Sequence, residues 1–198
     1  KRNQNRKNCN HKVIMRKRKK FNNPKIVAVT GGIGSGQTTV CEEFKRLGNK
    51  IINVDKKAKE IIRKDKNVQN EIKKEFGKYV FYRNGKLNKK LLAQIVFNDE
   101  GKVQKLNSIV HPRMVESMVE EMESARFSGN YPLIIIDAAL IYEINIEHLF
   151  DAVIVVHANK TQRIKRVAAR DKMKKEDITA RMDKQIPLDE KRKWANYV

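Results

Sequence analysis

Short apolar runs alternate with longer segments of helical spacing along most of the chain. The apolar runs, rich in Ile and Val, are residues 25–30, 51–54, 133–137 and 152–156. Runs of this length are typical of strands buried on both faces of a parallel sheet. Helical spacing is found at 37–47, 57–62, 160–170 and 176–185. In the first of these helices Val40, Phe44 and Leu47 share one face, and Gly48 closes it. The alternation predicts an α/β fold with a doubly wound parallel sheet, helices on both faces and right-handed crossovers.

A polar stretch from about residue 65 to 128 interrupts this alternation. It reads as helical throughout, with one break at 82–85, and it contains no run that resembles a buried strand. We therefore expect a helical insertion between the second and third strands. The single-domain body is expected to span residues 25–198, a length that one compact domain accommodates.

Basic charge is concentrated at the amino end. The chain has 44 Lys or Arg against 23 Asp or Glu, a formal net charge of +21, and eleven of the basic residues but no acidic residue lie among the first 25. We expect residues 1–24 to be a disordered tail. Attraction to nucleic acid is one interpretation of this charge. A solvated tail without a specific partner is favoured, because no aromatic interleaving or nucleic-acid-binding motif accompanies it.

Cysteine content and hydropathy indicate the protein class. The two cysteines, Cys9 and Cys41, give no disulfide framework, and Cys41 is expected to be a small buried residue. The run Cys9-Asn10-His11 lacks a second pair of ligands for a metal. The chain has no apolar stretch of the roughly 20 residues that cross a bilayer, and no secretory signal pattern. A cytoplasmic protein is the expectation.

The segment after the first apolar run carries the clearest chemistry. It follows the phosphate-loop template G-x-x-x-x-G-K-[ST], and Gly31, Gly36 and Thr38 match that template. It also lies between a predicted strand and a predicted helix, as the template requires. Glycines let backbone N–H groups turn toward phosphate oxygens, and Thr38 can place its hydroxyl on Mg²⁺. The alternative, an ordinary glycine-rich turn, fits less well because spacing, strand and hydroxyl all agree. The predicted nucleotide-binding residues are Gly31, Ile33, Gly34, Ser35, Gly36, Gln37, Thr38 and Thr39.

Gln37 departs from the template, because it stands where the phosphate-loop lysine belongs. Its amide donates hydrogen bonds but carries no charge to stabilise a transferring phosphoryl group. Loss of one preorganised donor could cost the chemical step on the order of 2–4 kcal/mol. We expect either weak catalysis or another cation in its place, with Lys57 and the basic helix from Lys160 as candidates.

Further motifs follow the loop in a recognisable order. They are Asn53-Val54-Asp55, residues 84–89 with 91–97, residues 106–112, residues 137–143, and the set Arg166, Arg170, Arg181, Gln185 and Lys191. Together with residues 29–36, these motifs resemble the dephospho-CoA kinase family, and the resemblance covers residues 26–198. It implies phosphorylation of the ribose 3′-hydroxyl of dephospho-CoA by ATP with Mg²⁺, the last step of coenzyme A biosynthesis. It also implies a substrate-binding role for the insertion, a lid at about 166–184, and a last strand that begins at 195–198.

The resemblance also implies roles for individual residues. Asp55 would be the base that accepts the 3′-hydroxyl proton, where the alternative is a helix N-cap. Asp137 would hold Mg²⁺ as a Walker-B acid, where the alternative is a strand-end turn residue. Arg170 would reach from the lid to the transferring phosphoryl group, where the alternative is a solvated helix face. Arg166, one turn earlier, is a weaker candidate, and His111 would belong to the substrate-binding region.

Departures from the family pattern keep two other functions open. Besides Gln37, these departures are Asn88-Lys89, where Asp-Arg is usual, and Asn196, where an acid is usual. One alternative is a different small-molecule kinase with a phosphate loop, such as a nucleoside monophosphate kinase. The other is a catalytically degenerate nucleotide-binding protein that associates with nucleic acid through its tail.

Overall fold

The computed structural model describes residues 20–96 and 99–198. Within them, four parallel strands form one sheet in the order β2-β3-β1-β4. The strands are β1 (Lys25–Gly31), β2 (Lys50–Asn53), β3 (Leu133–Asp137) and β4 (Ala152–Val156). Ala28 in β1 is level with Ile136 in β3 and Val153 in β4. The predicted α/β fold is confirmed, and the carboxyl ends of β1, β2 and β3 meet at one edge of the sheet.

Helices cover both faces of this sheet. Helix α1 (Gln37–Arg46) packs against Val29 and Ile135 through its buried Cys41. On the other face lie α2 (Val54–Lys64) and the long α5 (Glu100–Ser128). Helix α5 buries Met114, Met118 and Met122, whose spacing of four places them on one stripe. Alternate strand residues thus enter different cores, which explains why the strands read as continuous apolar runs.

The helical insertion is more segmented than the pattern indicates. Helix α3 (Lys66–Phe76) ends at Gly77, a 3₁₀ turn covers Lys78–Val80, and α4 (Lys89–Val96) precedes α5. The prediction of a single break at 82–85 was therefore wrong. Asp65 starts α3 by accepting hydrogen bonds from the backbone N–H groups of Asn67 and Val68. These helices bury a second core around Val68, Ile72 and Leu92.

Three further helices complete the described chain. They are α6 (Lys160–Asp171), α7 (Lys175–Met182) and α8 (Leu188–Trp194). After α8, Tyr197 forms a parallel bridge with Ile154 of β4, which agrees with a strand beginning at 195–198. No helix among the described residues is both long enough and apolar enough to cross a bilayer.

Two local predictions change. Leu47 was expected on the buried face of α1, but it is 75% exposed because the helix ends at Arg46 and Leu47 is its C-cap. The predicted tail was drawn to residue 24, yet Phe21 donates its N–H to the Gly129 carbonyl at 2.9 Å and Pro24 is buried. The prediction of disorder for residues 1–19, with Cys9, lies outside the described residues.

Candidate active site

The glycine loop connects β1 to the amino end of α1. Gly34 and Gly36 have φ values of 78° and 101°, which favour glycine. No side chain among the residues that the structure describes caps α1, so its first-turn N–H groups can bind an anionic acceptor. A Cβ at Gly34 would lie 2.6 Å from the carbonyl oxygen of Arg163, so α6 also restricts this position to glycine.

A cleft of about 860 Å³ opens over this loop. It is lined by all eight residues predicted to bind nucleotide, and also by Asp55, Asp137, Arg166 and Arg170. In the described part of the chain, the Ser35 hydroxyl is buried and has no hydrogen-bond partner. An unsatisfied buried hydroxyl is costly, so this atom fits a phosphate oxygen as its missing partner.

Asp137 ends β3 at the bottom of the cleft. Its Oδ1 accepts a hydrogen bond from the Gln37 amide, and its Oδ2 accepts one from the Asn53 amide. The Gln37 amide thus donates to the Asp137 carboxylate and does not point toward the site expected for the phosphates. No role for the Asn53 side chain was predicted from the sequence, because no local pattern links it to Asp137, 84 positions away.

Asp55 lies near Asp137, in the first turn of α2. The strand expected over residues 51–54 ends one residue earlier, at Asn53, and the alternative role of Asp55 as a helix N-cap was wrong. Asn53 caps α2 instead, accepting a hydrogen bond from the Lys56 N–H at 2.8 Å. Asp55 is an exposed residue, but its surroundings partly desolvate the carboxyl and so raise its pKa, and the charge of Asp137 raises that pKa further. Lys59 opposes this shift.

A second, apolar cavity of about 200 Å³ lies between α2 and α5, with Asp55 in its wall. Ala58, Val110 and Met114 form part of its apolar wall, and Asn107 and His111 are polar residues that line it in addition to Asp55. Burial lowers the pKa of His111, which therefore favours the neutral imidazole. Asp55 belongs to the walls of both cavities and so stands at their junction.

The two arginines of α6 that line the cleft, Arg166 and Arg170, differ in their contacts. Arg166 donates hydrogen bonds from Nη1 to the carbonyls of Gly34 at 3.4 Å and Ser35 at 3.1 Å. Arg170 instead forms two hydrogen bonds of 2.8 Å with Asp171. The sequence favoured Arg170 over Arg166, whereas of these two it is Arg166 that contacts the glycine loop.

The side-chain oxygens of the cleft suit Mg²⁺ only when phosphate oxygens of a bound nucleotide complete its coordination. Thr38 and Asp137 line the same cleft and offer a hydroxyl and a carboxylate, which Mg²⁺ accepts together with phosphate oxygens. Within residues 20–96 and 99–198, no group of three or more His, Cys, Asp or Glu could hold a metal by itself. This arrangement fits Mg²⁺ that arrives with a nucleotide.

Comparison with known proteins identifies related chains. A family model described as dephospho-CoA kinase matches residues 25–198. A dephospho-CoA kinase from Bacillus licheniformis is 34% identical over 173 residues, covering 87% of this chain and 86% of that protein. Among solved structures, TT1252 from Thermus thermophilus superposes with a TM-score of 0.76 at 31% identity, over 88% of this chain and 87% of that one. Dephospho-CoA kinase from Campylobacter jejuni gives a TM-score of 0.64 at 29% identity, over 87% of this chain and 85% of that one.

Proposed function

This chain belongs to the dephospho-CoA kinase family, and we propose that it transfers the γ-phosphoryl group of ATP to the ribose 3′-hydroxyl of dephospho-CoA. One observation carries the proposal beyond family membership. Asp55 stands where the glycine-loop cleft meets the apolar cavity. A base at that junction can take a proton from a hydroxyl of one ligand beside the terminal phosphate of another.

The donor side of the site suits ATP. The first-turn N–H groups of α1 and the unpartnered Ser35 hydroxyl provide donors for phosphate oxygens. Thr38 and Asp137 would hold Mg²⁺ together with the phosphates. When bound, the ion neutralises charge that develops on the β- and γ-oxygens.

Arg166 is the proposed replacement for the charge that Gln37 lacks. Its guanidinium already contacts the Gly34 and Ser35 carbonyls and lines the cleft. Gln37, by contrast, donates to Asp137 and brings no charge. A guanidinium presents a planar fork of N–H donors together with its positive charge, a geometry that suits phosphate oxygens. Arg170 would join it after leaving Asp171.

The acceptor side suits a ligand with a flat apolar group beside its reactive hydroxyl. The adenine of dephospho-CoA matches the apolar cavity, where the amide of Asn107 and the neutral imidazole of His111 can form hydrogen bonds with a base edge. A ribose attached to that base would reach Asp55 at the mouth of the cavity.

The reaction then needs one proton transfer and one displacement. The 3′-hydroxyl oxygen forms a bond to the γ-phosphorus, and its proton passes to the Asp55 carboxylate. The bond from the γ-phosphorus to the β,γ-bridging oxygen breaks, and ADP leaves with that electron pair. The raised pKa of Asp55 makes it a stronger base than an ordinary aspartate, provided that it is ionised.

Direct product analysis tests this function. The full chain is incubated with ATP-Mg and dephospho-CoA, and CoA is resolved from dephospho-CoA by chromatography and mass. AMP and dAMP serve as competing acceptors, because the nucleoside monophosphate kinase alternative requires them. We expect CoA with dephospho-CoA and little transfer to either monophosphate. Preferred transfer to AMP, or ATP binding without transfer to any acceptor, would contradict the proposal.

A further inference from the structure

The peptide groups of Ile33, in the glycine loop, are held by two side chains from distant parts of the chain. The Ile33 N–H donates to Oε1 of Gln185 at 3.1 Å, and the Ile33 carbonyl accepts from Nε of Arg163 at 2.9 Å. Arg163 is a buried residue of α6, and Gln185 lies in the connection between α7 and α8. This part of the loop is therefore fixed from outside.

Helix α6 leaves the loop little room on that side. A Cβ at Gly32 would meet the Arg163 guanidinium at 2.2 Å, and one at Gly34 would meet the Arg163 carbonyl at 2.6 Å. The loop is thus in close contact with α6, from which Arg166 and Arg170 also project into the cleft. Gln185 adds a bond to the same loop from the far end of α7.

The segment that contains Gln185 is itself bound to the loop that follows β3. The Ile186 N–H donates to Oε1 of Glu143 at 3.2 Å, and that carboxylate pairs with Lys191 at 2.6 Å. Lys191 is fully buried and also donates to the Ala139 carbonyl at 3.0 Å. Thr30, the residue before the glycine loop, donates to the same carbonyl at 3.2 Å. A continuous set of contacts therefore links the glycine loop, the loop after Asp137 and the end of α7.

We propose that Gln185 is a positioning residue, whose side-chain carbonyl holds the Ile33 amide so that the glycine loop and the predicted lid adopt their nucleotide-binding arrangement together. A glycine-rich loop has high backbone freedom, and ordering it on binding costs entropy that reduces affinity. A bond that fixes Ile33 beforehand lowers this cost. The inference rests on the proposed function only in that it assumes the cleft receives ATP.

Three variants test the role of Gln185. Gln185→Met keeps a similar length but removes the acceptor, whereas Gln185→Glu keeps an oxygen that can accept from Ile33. Lys193→Gln is the matched control, because Lys193 is exposed on α8 and pairs with Glu190 on the same helix. The full chain is used throughout, with amide hydrogen exchange at Ile33, calorimetric binding of ATP-Mg and thermal melting as measurements.

We expect Gln185→Met to speed Ile33 amide exchange by tenfold or more and to weaken ATP-Mg binding by about tenfold, a factor that corresponds to about 1.4 kcal/mol. Gln185→Glu should retain Ile33 protection, and Lys193→Gln should match the parent in every measurement. Unchanged Ile33 exchange in Gln185→Met would overturn the proposal, and so would faster exchange with unchanged ATP affinity. The measurements need no phosphoryl transfer, so a parent that binds ATP-Mg but forms no CoA defeats the proposed function and leaves this test intact.

Discussion

Asp55 combines two properties at the residue scale that a catalytic base requires. It lies at the junction of the two cavities, and its pKa is raised by partial desolvation and by Asp137. We expect Asp55→Asn to lower kcat by about 10²–10⁴-fold, because a positioned base typically contributes that much. ATP-Mg affinity, measured by calorimetry, should stay close to that of the parent. Turnover within about threefold of the parent would exclude Asp55 as the base, given that contribution.

The raised pKa of Asp55 also means that its ionised carboxylate lowers the free energy of unfolding at neutral pH. Because its pKa is higher in the folded than in the unfolded state, the folded state binds the proton more tightly. The favourable contribution is present below the ordinary aspartate pKa of about 4 and is lost as pH rises through the raised value. Asp55→Asn should therefore melt at a modestly higher temperature than the parent at pH 7.5. The difference should shrink as pH is lowered toward 4.5, and a constant difference across this range would contradict the shift.

Gln37 is the residue where this chain differs most from its own motif. A lysine at this position would meet the β- and γ-oxygens of ATP, although Asp137 would compete for its charge. Because Arg166 is proposed to supply the missing charge, we expect Gln37→Lys to leave kcat within about threefold of the parent at saturating substrates. A rise of about tenfold or more, as restoring a missing preorganised donor would give, would contradict that role of Arg166. Gln37→Met is the matched control and should not raise kcat. An unchanged kcat in an active parent would show that another cation, with Arg166 the nearest candidate, already supplies the charge.

At the scale of elements, α6 places two arginines at the same cleft, and the two have different hydrogen-bond partners. Arg166 contacts the loop carbonyls, whereas Arg170 pairs with Asp171. We expect Arg166→Met to raise the KM for ATP and to lower kcat, because Arg166 already lies against the glycine loop before phosphoryl transfer and would contact bound ATP. Arg170→Ala should lower kcat more than it raises KM, because its contact forms as the phosphoryl group moves. Steady-state kinetics with varied ATP separates the two, and a pure KM effect of Arg170→Ala would make it an ordinary binding residue.

The elements that were predicted correctly from the sequence are those that a local sequence pattern determines. The bounds of β3 and β4 follow from apolar runs buried on both faces, and the glycine loop follows from its template. Leu47 was misplaced because a helix end shifts by one residue without any change in periodicity. The contact between Gln185 and Ile33 spans 152 positions, and no local pattern reports such a pairing. The sequence also could not show which of Arg166 and Arg170 contacts the glycine loop, because residues four apart on a helix share one face.

At the scale of the whole molecule, the active centre depends on contacts between segments far apart in sequence. Asp137 reaches the cleft from β3, Asp55 from α2, and Arg166 from α6. The cluster of Lys191, Glu143 and Ala139 joins the carboxyl-terminal helix α8 to the loop after β3. The proposed active centre and helix α8 are therefore linked through buried contacts.

The buried pair of Lys191 and Glu143 allows this dependence to be measured. Lys191 is fully buried, the Glu143 side chain is 15% exposed, and Glu143 Oε2 has no hydrogen-bond partner among the described residues. Loss of Lys191 would therefore leave a largely buried carboxylate without its counter-charge. We expect Lys191→Met to lower the free energy of unfolding by about 3–5 kcal/mol, as removal of one partner of a buried pair does. Lys191→Met combined with Glu143→Leu should recover much of that loss, because no charge then remains buried, although the Ile186 N–H loses its acceptor. Urea denaturation of parent, single and double variants provides the comparison, with Lys193→Gln as the exposed control. A loss below about 1 kcal/mol in Lys191→Met would contradict this prediction, because it would show that the pair contributes no more than an exposed surface ion pair.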